Sequence, residues 1–108
     1  MSGALGAAIK STAMGDSEIH EQLRKLPNWV LSNGFIERRF SFENYHQTLA
    51  FVNAIAPMIH TQDHHPELLI TYSHCTVRFN THSVNGISIN DFICAAKTDA
   101  IYGSKTNN

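Results

Sequence analysis

A chain of 108 residues is long enough to bury one hydrophobic core and too short for two. Its 43% apolar and 16% charged residues are ordinary for a globular protein, and a formal net charge of -1 offers neither a basic footprint for nucleic acid nor a polybasic membrane patch. No apolar run reaches the ~20 residues of a membrane-spanning helix, and the two cysteines, Cys75 and Cys94, form no Cys-x-x-Cys pair, which points to reduced thiols in a cytoplasmic setting.

Residues 1–16 are small and weakly patterned and are expected to form an extension outside the domain, which spans residues 17–103 and is followed by a loose tail over 104–108. A first helix is predicted from Asp16 or Ser17, either of which can cap its free N–H groups. Ile19, Leu23 and Leu26 give it one apolar face, and Pro27 ends it. Trp29–Leu31 and Phe35–Phe40 flank Asn33-Gly34, a pair that supplies the positive φ of a tight hairpin. On the second strand Ile36, Arg38 and Phe40 share one face.

A long helix is predicted from Ser41, as N-cap, to about His60. Phe42, Tyr45, Leu49, Val52, Ala56 and Ile59 form the stripe expected to pack on the sheet. Phe51, Ile55 and Met58 form a second apolar row, either a subunit contact or a surface covered by the first helix. Pro57 should kink the helix by removing a hydrogen bond. Leu68–Tyr72 and Cys75–Asn80 read as a second hairpin, with Cys75, Val77 and Phe79 alternating inward. A loop over Thr81–Gly86 follows. Ser88-Ile89-Asn90-Asp91 has the spacing of a capping box and should open a last helix that runs to about Tyr102, with Gly103 as its stop. The order α-β-β-α-β-β-α predicts the α+β class: a single four-stranded antiparallel sheet with helices packed on one face.

Chemistry gathers at two junctions. His60, Asp63, His64, His65 and Pro66 lie where the long helix gives way to a strand, and His82 lies after the fourth strand. Histidine gives and takes protons near neutral pH. The negative end of a helix dipole favours a cationic ring, which suits His60 or His64 to an acid role. His65 is held extended by Pro66, so its side chain points away from that of His64. A metal site is the rival reading, because His60 and His64 stand at i and i+4, with Asp63 or His82 to complete the set. Nucleophilic catalysis has little support: no Gly-x-Ser-x-Gly elbow, phosphate loop or dinucleotide fingerprint occurs. Cys75 and Cys94 fall at positions that read as small buried residues.

The run His60-x-x-x-His64-His65-Pro66, then Tyr72, His82 and Asp91, with the lead-in Leu26-Pro27-Asn28-Trp29, resembles the signature of the pterin-4a-carbinolamine dehydratases over about residues 17–102. The first signature position, often an acid, is His60 here. The resemblance implies a hydro-lyase that dehydrates 4a-hydroxytetrahydropterin to quinonoid dihydropterin in pterin cofactor recycling, with no metal and no organic cofactor. It implies His64, His65 and His82 as catalytic residues, His64 and His82 forming the acid–base pair. It also implies His60, Asp63, Pro66, Thr81, Ser83 and Val84 as substrate-binding residues. Asp91 matches the signature, but its capping position already accounts for it. A homodimer or homotetramer is implied. The alternative reading is a dimerisation or coactivator module with a transcription-factor partner.

Overall fold

The computed structural model describes residues 12–106. Three helices, α1 (Asp16–Leu23), α2 (Tyr45–Gln62) and α3 (Ile89–Thr106), alternate with two hairpins, β1 (Val30–Ser32) with β2 (Phe35–Ser41) and β3 (Glu67–Ile70) with β4 (His74–Phe79). The strands form one antiparallel sheet in the order β1-β2-β4-β3, as the element order implies. Ile36 and Phe40 of β2 and Cys75, Val77 and Phe79 of β4 are buried while their neighbours along each strand are not, so one face of the sheet carries the helices.

The first hairpin turns at Asn33 (φ 52°) and Gly34 (φ 82°), the positive angles that Asn-Gly admits. On the outer face Arg78 lies between its two cross-strand partners, donating from Nε to Glu37 at 3.0 Å and from Nη1 to Glu67 at 2.8 Å. On the inner side Asp99 of α3 accepts from Trp29 Nε1 at 2.9 Å and from Arg38 Nη1 at 2.8 Å. The guanidinium of Arg38 also sits over the Phe40 ring at 4.4 Å. The aromatic core of Phe40, Phe51, Phe42 and Tyr102 packs with ring centroids about 5 Å apart.

The structure corrects the helix boundaries. Gly15, not Asp16 or Ser17, precedes the first turn of α1, and its N–H donates to Glu18 at 3.0 Å. The helix stops at Leu23, ahead of Pro27, because Lys25 and Leu26 donate to carbonyls three residues back and tighten the chain. Ser41 stays in β2, paired with His74, and Asn44 caps α2 by accepting from Gln47 N at 2.9 Å. The helix continues through Pro57 to Gln62. Helix α3 runs through Gly103 to Thr106, taking in part of the expected tail, because Gly103 keeps a helical place and not the left-handed one a stop requires. At the other end Met14 N donates to Ile87 O at 2.7 Å, so the chain is docked before Asp16. Residues 1–11 of the extension expected over 1–16 lie outside the described residues.

The most buried face of α2 is the second row, with Val52 and Ile59 of the predicted stripe packed partly buried at its side. Thr48, Phe51 and Ile55 are buried against the sheet, whereas Tyr45, Leu49 and Ala56 of the predicted stripe face outward. Phe42 precedes the helix, so the stripe began from a residue that does not share its period. Thr48 conceals the buried row: its hydroxyl donates to Asn44 O at 2.9 Å and lies 3.0 Å from Tyr72 O, which lets a polar residue occupy a buried position. Phe51→Ala is expected to lower the unfolding free energy by about 3–5 kcal/mol, and Ala56→Ser by less than about 0.5 kcal/mol, in urea titrations.

Candidate active site

Asp91 stands in the first turn of α3 and is fully buried. One carboxylate oxygen, Oδ2, accepts from Ser88 N at 2.9 Å, the bond expected of the capping sequence. The same oxygen accepts from the Thr81 hydroxyl at 2.9 Å. The other oxygen, Oδ1, lies 2.6 Å from His64 Nε2. A carboxylate only accepts, so Nε2 carries the proton of that bond and a neutral His64 presents its Nδ1 as a lone pair.

Local structure explains why His64 reaches Asp91. Helix α2 ends where Asp63 takes the left-handed conformation (φ 52°, ψ 44°), with its N–H on His60 O at 3.2 Å. This reversal turns the chain back towards the sheet, and Asp tolerates it better than most residues. The His64 ring then stacks on Phe79 at the end of β4, with centroids 6.0 Å apart and planes 8° from parallel. Only 12% of the His64 side chain is exposed.

The sequence-predicted residues divide around Asp91. Asp63, His65 and Pro66 flank His64, with Asp63 and His65 exposed and Pro66 half-buried. Thr81, expected to line the pocket, is buried with its hydroxyl on Asp91. From Thr81 the chain enters a single 3-10 turn over His82–Val84, which leaves His82 and Ser83 exposed and Val84 half-buried. Val84 N and Asn85 N donate back to Thr81 O and His82 O, and Asn85 closes the turn at φ 54°. Asp91 therefore joins the two histidine-bearing segments: it binds His64 directly and holds Thr81, the neighbour of His82. His60 is exposed on the last turn of α2 and contributes its carbonyl to the Asp63 turn.

The sequence assigned Asp91 to capping alone. The structure adds His64 as a second partner, and the signal available was the pair itself: a capping acid at a signature position has one oxygen left over. Among the described residues no three His, Cys, Asp or Glu side chains are arranged to share a metal ion. The Nε2 of His64 is already engaged with Asp91.

Cys75 and Cys94 are free and buried. Burial pushes the Cys75 thiol up to about 11. Cys94 is also raised to about 11, first by burial and then by the Asp91 carboxylate one turn away, against a smaller opposing pull from Lys97. Both stay protonated at neutral pH and are poor nucleophiles.

The arrangement defines a class: an α+β domain presenting a mostly buried histidine oriented by a carboxylate, with exposed histidines on the segments that the carboxylate joins. Residues 12–101 match the family Pterin 4 alpha carbinolamine dehydratase. A protein of Bdellovibrio bacteriovorus, provisionally named pterin-4-alpha-carbinolamine dehydratase, is 54% identical over 97 residues, covering 86% of this chain and 81% of its own. A Xylella fastidiosa protein with the same provisional name is 48% identical over 95 residues, covering 86% and 82%. The crystal structure of a transcriptional coactivator/pterin dehydratase from Brucella melitensis superposes with a TM-score of 0.80 at 32% identity, over 84% of this chain and 99% of that one. A pterin dehydratase-like RuBisCO assembly factor of the α-carboxysome shares the fold, with a TM-score of 0.58 at 22% identity. The chain belongs to the pterin-4a-carbinolamine dehydratase family.

The two thiols carry a pH dependence whose sign is fixed. A folded-state value above the ordinary 9 favours the protonated fold, so this contribution to stability is complete below pH 9 and is lost as pH rises towards 11. Urea midpoints of the wild type should therefore fall more steeply between pH 9 and 11 than those of the Cys75→Ala/Cys94→Ala variant. Parallel curves refute the assignment.

Proposed function

We propose that this chain is an enzyme, a hydro-lyase that converts 4a-hydroxytetrahydropterin to quinonoid dihydropterin in pterin cofactor recycling, with His64, His65 and His82 as its catalytic residues. The observation that carries this reading is the 2.6 Å bond between His64 Nε2 and Asp91 Oδ1. It fixes the ring tautomer and orientation, and the Asp91 carboxylate balances the charge when Nδ1 takes a proton. Family membership supplies the substrate class.

The reaction breaks one C–O bond and moves two protons. One proton is delivered to the 4a-hydroxyl, which leaves as water, and one is removed from a ring nitrogen. The two sites lie on different atoms of a rigid ring, so two groups in different positions serve better than one. His64 supplies the oriented group. His82, on the adjoining turn, supplies the other, and His65 contacts the pterin or assists. His60, Asp63, Pro66, Thr81, Ser83 and Val84 line the approach. The reaction requires no metal and no organic cofactor.

Initial-rate assays against the spontaneous reaction test this reading. His64→Ala and His82→Ala should each lower turnover by ~10²–10⁴-fold, the usual range for general acid–base groups. A wild type no faster than the spontaneous reaction sinks it.

A homo-oligomer, dimer or tetramer, is the second element of the proposal. Tyr45 and Leu49 stand exposed on one side of α2, and the edge strand β3 exposes Leu68 and Leu69. Large apolar side chains grouped on a surface favour association. Light scattering should report more than one copy, and Leu49→Glu should lower the mass. The free thiols accord with a cytoplasmic setting, and no helix among the described residues is long and apolar enough to cross a membrane. A transcription-factor partner rests on the likeness to the Brucella coactivator/pterin dehydratase alone, and turnover does not require it.

A further inference from the structure

Behind Asp91 lies a second layer of polar groups that capping does not explain. The hydroxyls of Ser88 and Thr81 are 2.6 Å apart and buried. The single proton of Thr81 Oγ1 goes to Asp91 Oδ2, because a carboxylate cannot donate. The proton between the two hydroxyls therefore belongs to Ser88. Ser88 Oγ in turn accepts from Asn90 N at 3.3 Å. The direction of the chain is thereby fixed: Asn90 N–H to Ser88 Oγ–H, to Thr81 Oγ–H, to Asp91 Oδ2. A serine that only capped α3 would need nothing beyond the Asn90 bond.

Thr81 has a further connection. Its N–H donates to Gly86 O at 2.8 Å, and its carbonyl accepts from Val84 N at 3.1 Å and Gly86 N at 3.4 Å. Its backbone thus closes the turn that carries His82, while its side chain holds the carboxylate that orients His64. We propose that the buried Ser88–Thr81 hydroxyl pair is a positioning relay that sets His64 and His82 relative to one another through Asp91. Ser88 and Thr81 are then positioning residues whose part goes beyond the helix cap. With Ser88 Oγ as donor, Thr81 is held in the rotamer that meets Asp91 Oδ2, and Oδ1 stays directed at His64. Without it, the Thr81 hydroxyl loses its fixed rotamer, and Asp91 Oδ2 keeps only its bond from Ser88 N, so the carboxylate is held less firmly towards His64.

The relay's part in turnover rests on the dehydratase reading, but its effect on the His64 ring does not. Imidazole ¹⁵N spectra of the full chain separate the two. The wild type should hold His64 as the Nε2–H tautomer. Ser88→Ala and Thr81→Val should give a mixture of tautomers, and Thr81→Ser should restore the single form. In dehydration assays kcat should fall about 10-fold in Ser88→Ala and Thr81→Val with KM changed less than about twofold, and most of it should return in Thr81→Ser. Amide spectra establish that each variant is folded; should Thr81→Val fail to fold, Ser88→Ala, which removes only one oxygen, carries the test. An unchanged tautomer in a folded variant overturns the relay whatever the rates. A mixed tautomer with undiminished kcat overturns its role in positioning. A mixed tautomer alongside a wild type that has no activity supports the relay and sinks the dehydratase reading instead.

Discussion

A buried carboxylate must be compensated or it destabilises the fold, and Asp91 is compensated by three donors from three parts of the chain. Ser88 N belongs to the start of α3, the Thr81 hydroxyl to the loop after β4, and His64 Nε2 to the corner between α2 and β3. Taking a carboxylate out of water costs several kcal/mol, and only such donors offset it. The helix dipole adds to the same end, since Asp91 lies in the first turn of α3. The junctions that carry the histidines are therefore held together by the requirement to satisfy one group. Loss of any one donor leaves the charge less compensated, so the site and the packing of these elements fail together.

The remainder of the fold fixes where that carboxylate stands. Helix α3 is tied at two points. At one, Asp91 meets Thr81 and His64; at the other, Asp99 meets Trp29 and Arg38. Asp91 and Asp99 stand eight positions apart, about 12 Å along the helix. Anchoring at two points, the first turn and the middle of the helix, resists tilting of α3 against the sheet. The outer ladder of Glu37, Arg78 and Glu67 joins β2, β4 and β3 on the opposite face. Phe79, at the end of β4, then provides the flat apolar surface on which the His64 ring rests.

Much of this was legible in the chain because it depends on local rules. Asn33-Gly34 specified a turn because few other residues accept its angles. Cys75, Val77 and Phe79 specified the inner face of β4 because alternate residues of a strand face opposite ways. Three features were hidden for reasons equally physical. Thr48 is polar yet buried, so hydropathy misplaced the face of α2 that meets the sheet. Ser41 can cap a helix, but its pairing with His74 keeps it in a strand, and pairing across the sheet is a tertiary fact. The capping spacing assigned Oδ2 of Asp91 its work and gave no direction for Oδ1, whose partner lies 27 residues away. Likewise, the i, i+4 spacing that made His60 and His64 a candidate metal pair loses its meaning once the helix ends at Gln62 and Asp63 reverses the chain.

That reversal also explains why three neighbouring histidines differ in character. His60 is on the helix and exposed, His64 is beyond the turn and nearly covered, and His65, just ahead of Pro66, is exposed again. A ring fixed by a carboxylate and packed on Phe79 has its orientation decided before any ligand arrives. The exposed rings of His65 and His82 retain rotameric freedom and lose it only on contact with a ligand. For the proposed dehydration this is a useful division. The fixed ring keeps one proton exchange in register without an entropic cost at each turnover, while the mobile rings adjust to a substrate whose hydroxyl departs as the ring flattens. Because His82 is carried on a turn closed by Thr81, its freedom is that of a side chain on a fixed base. The segments that carry the proposed acid and base stay in place, and only the outer ring moves.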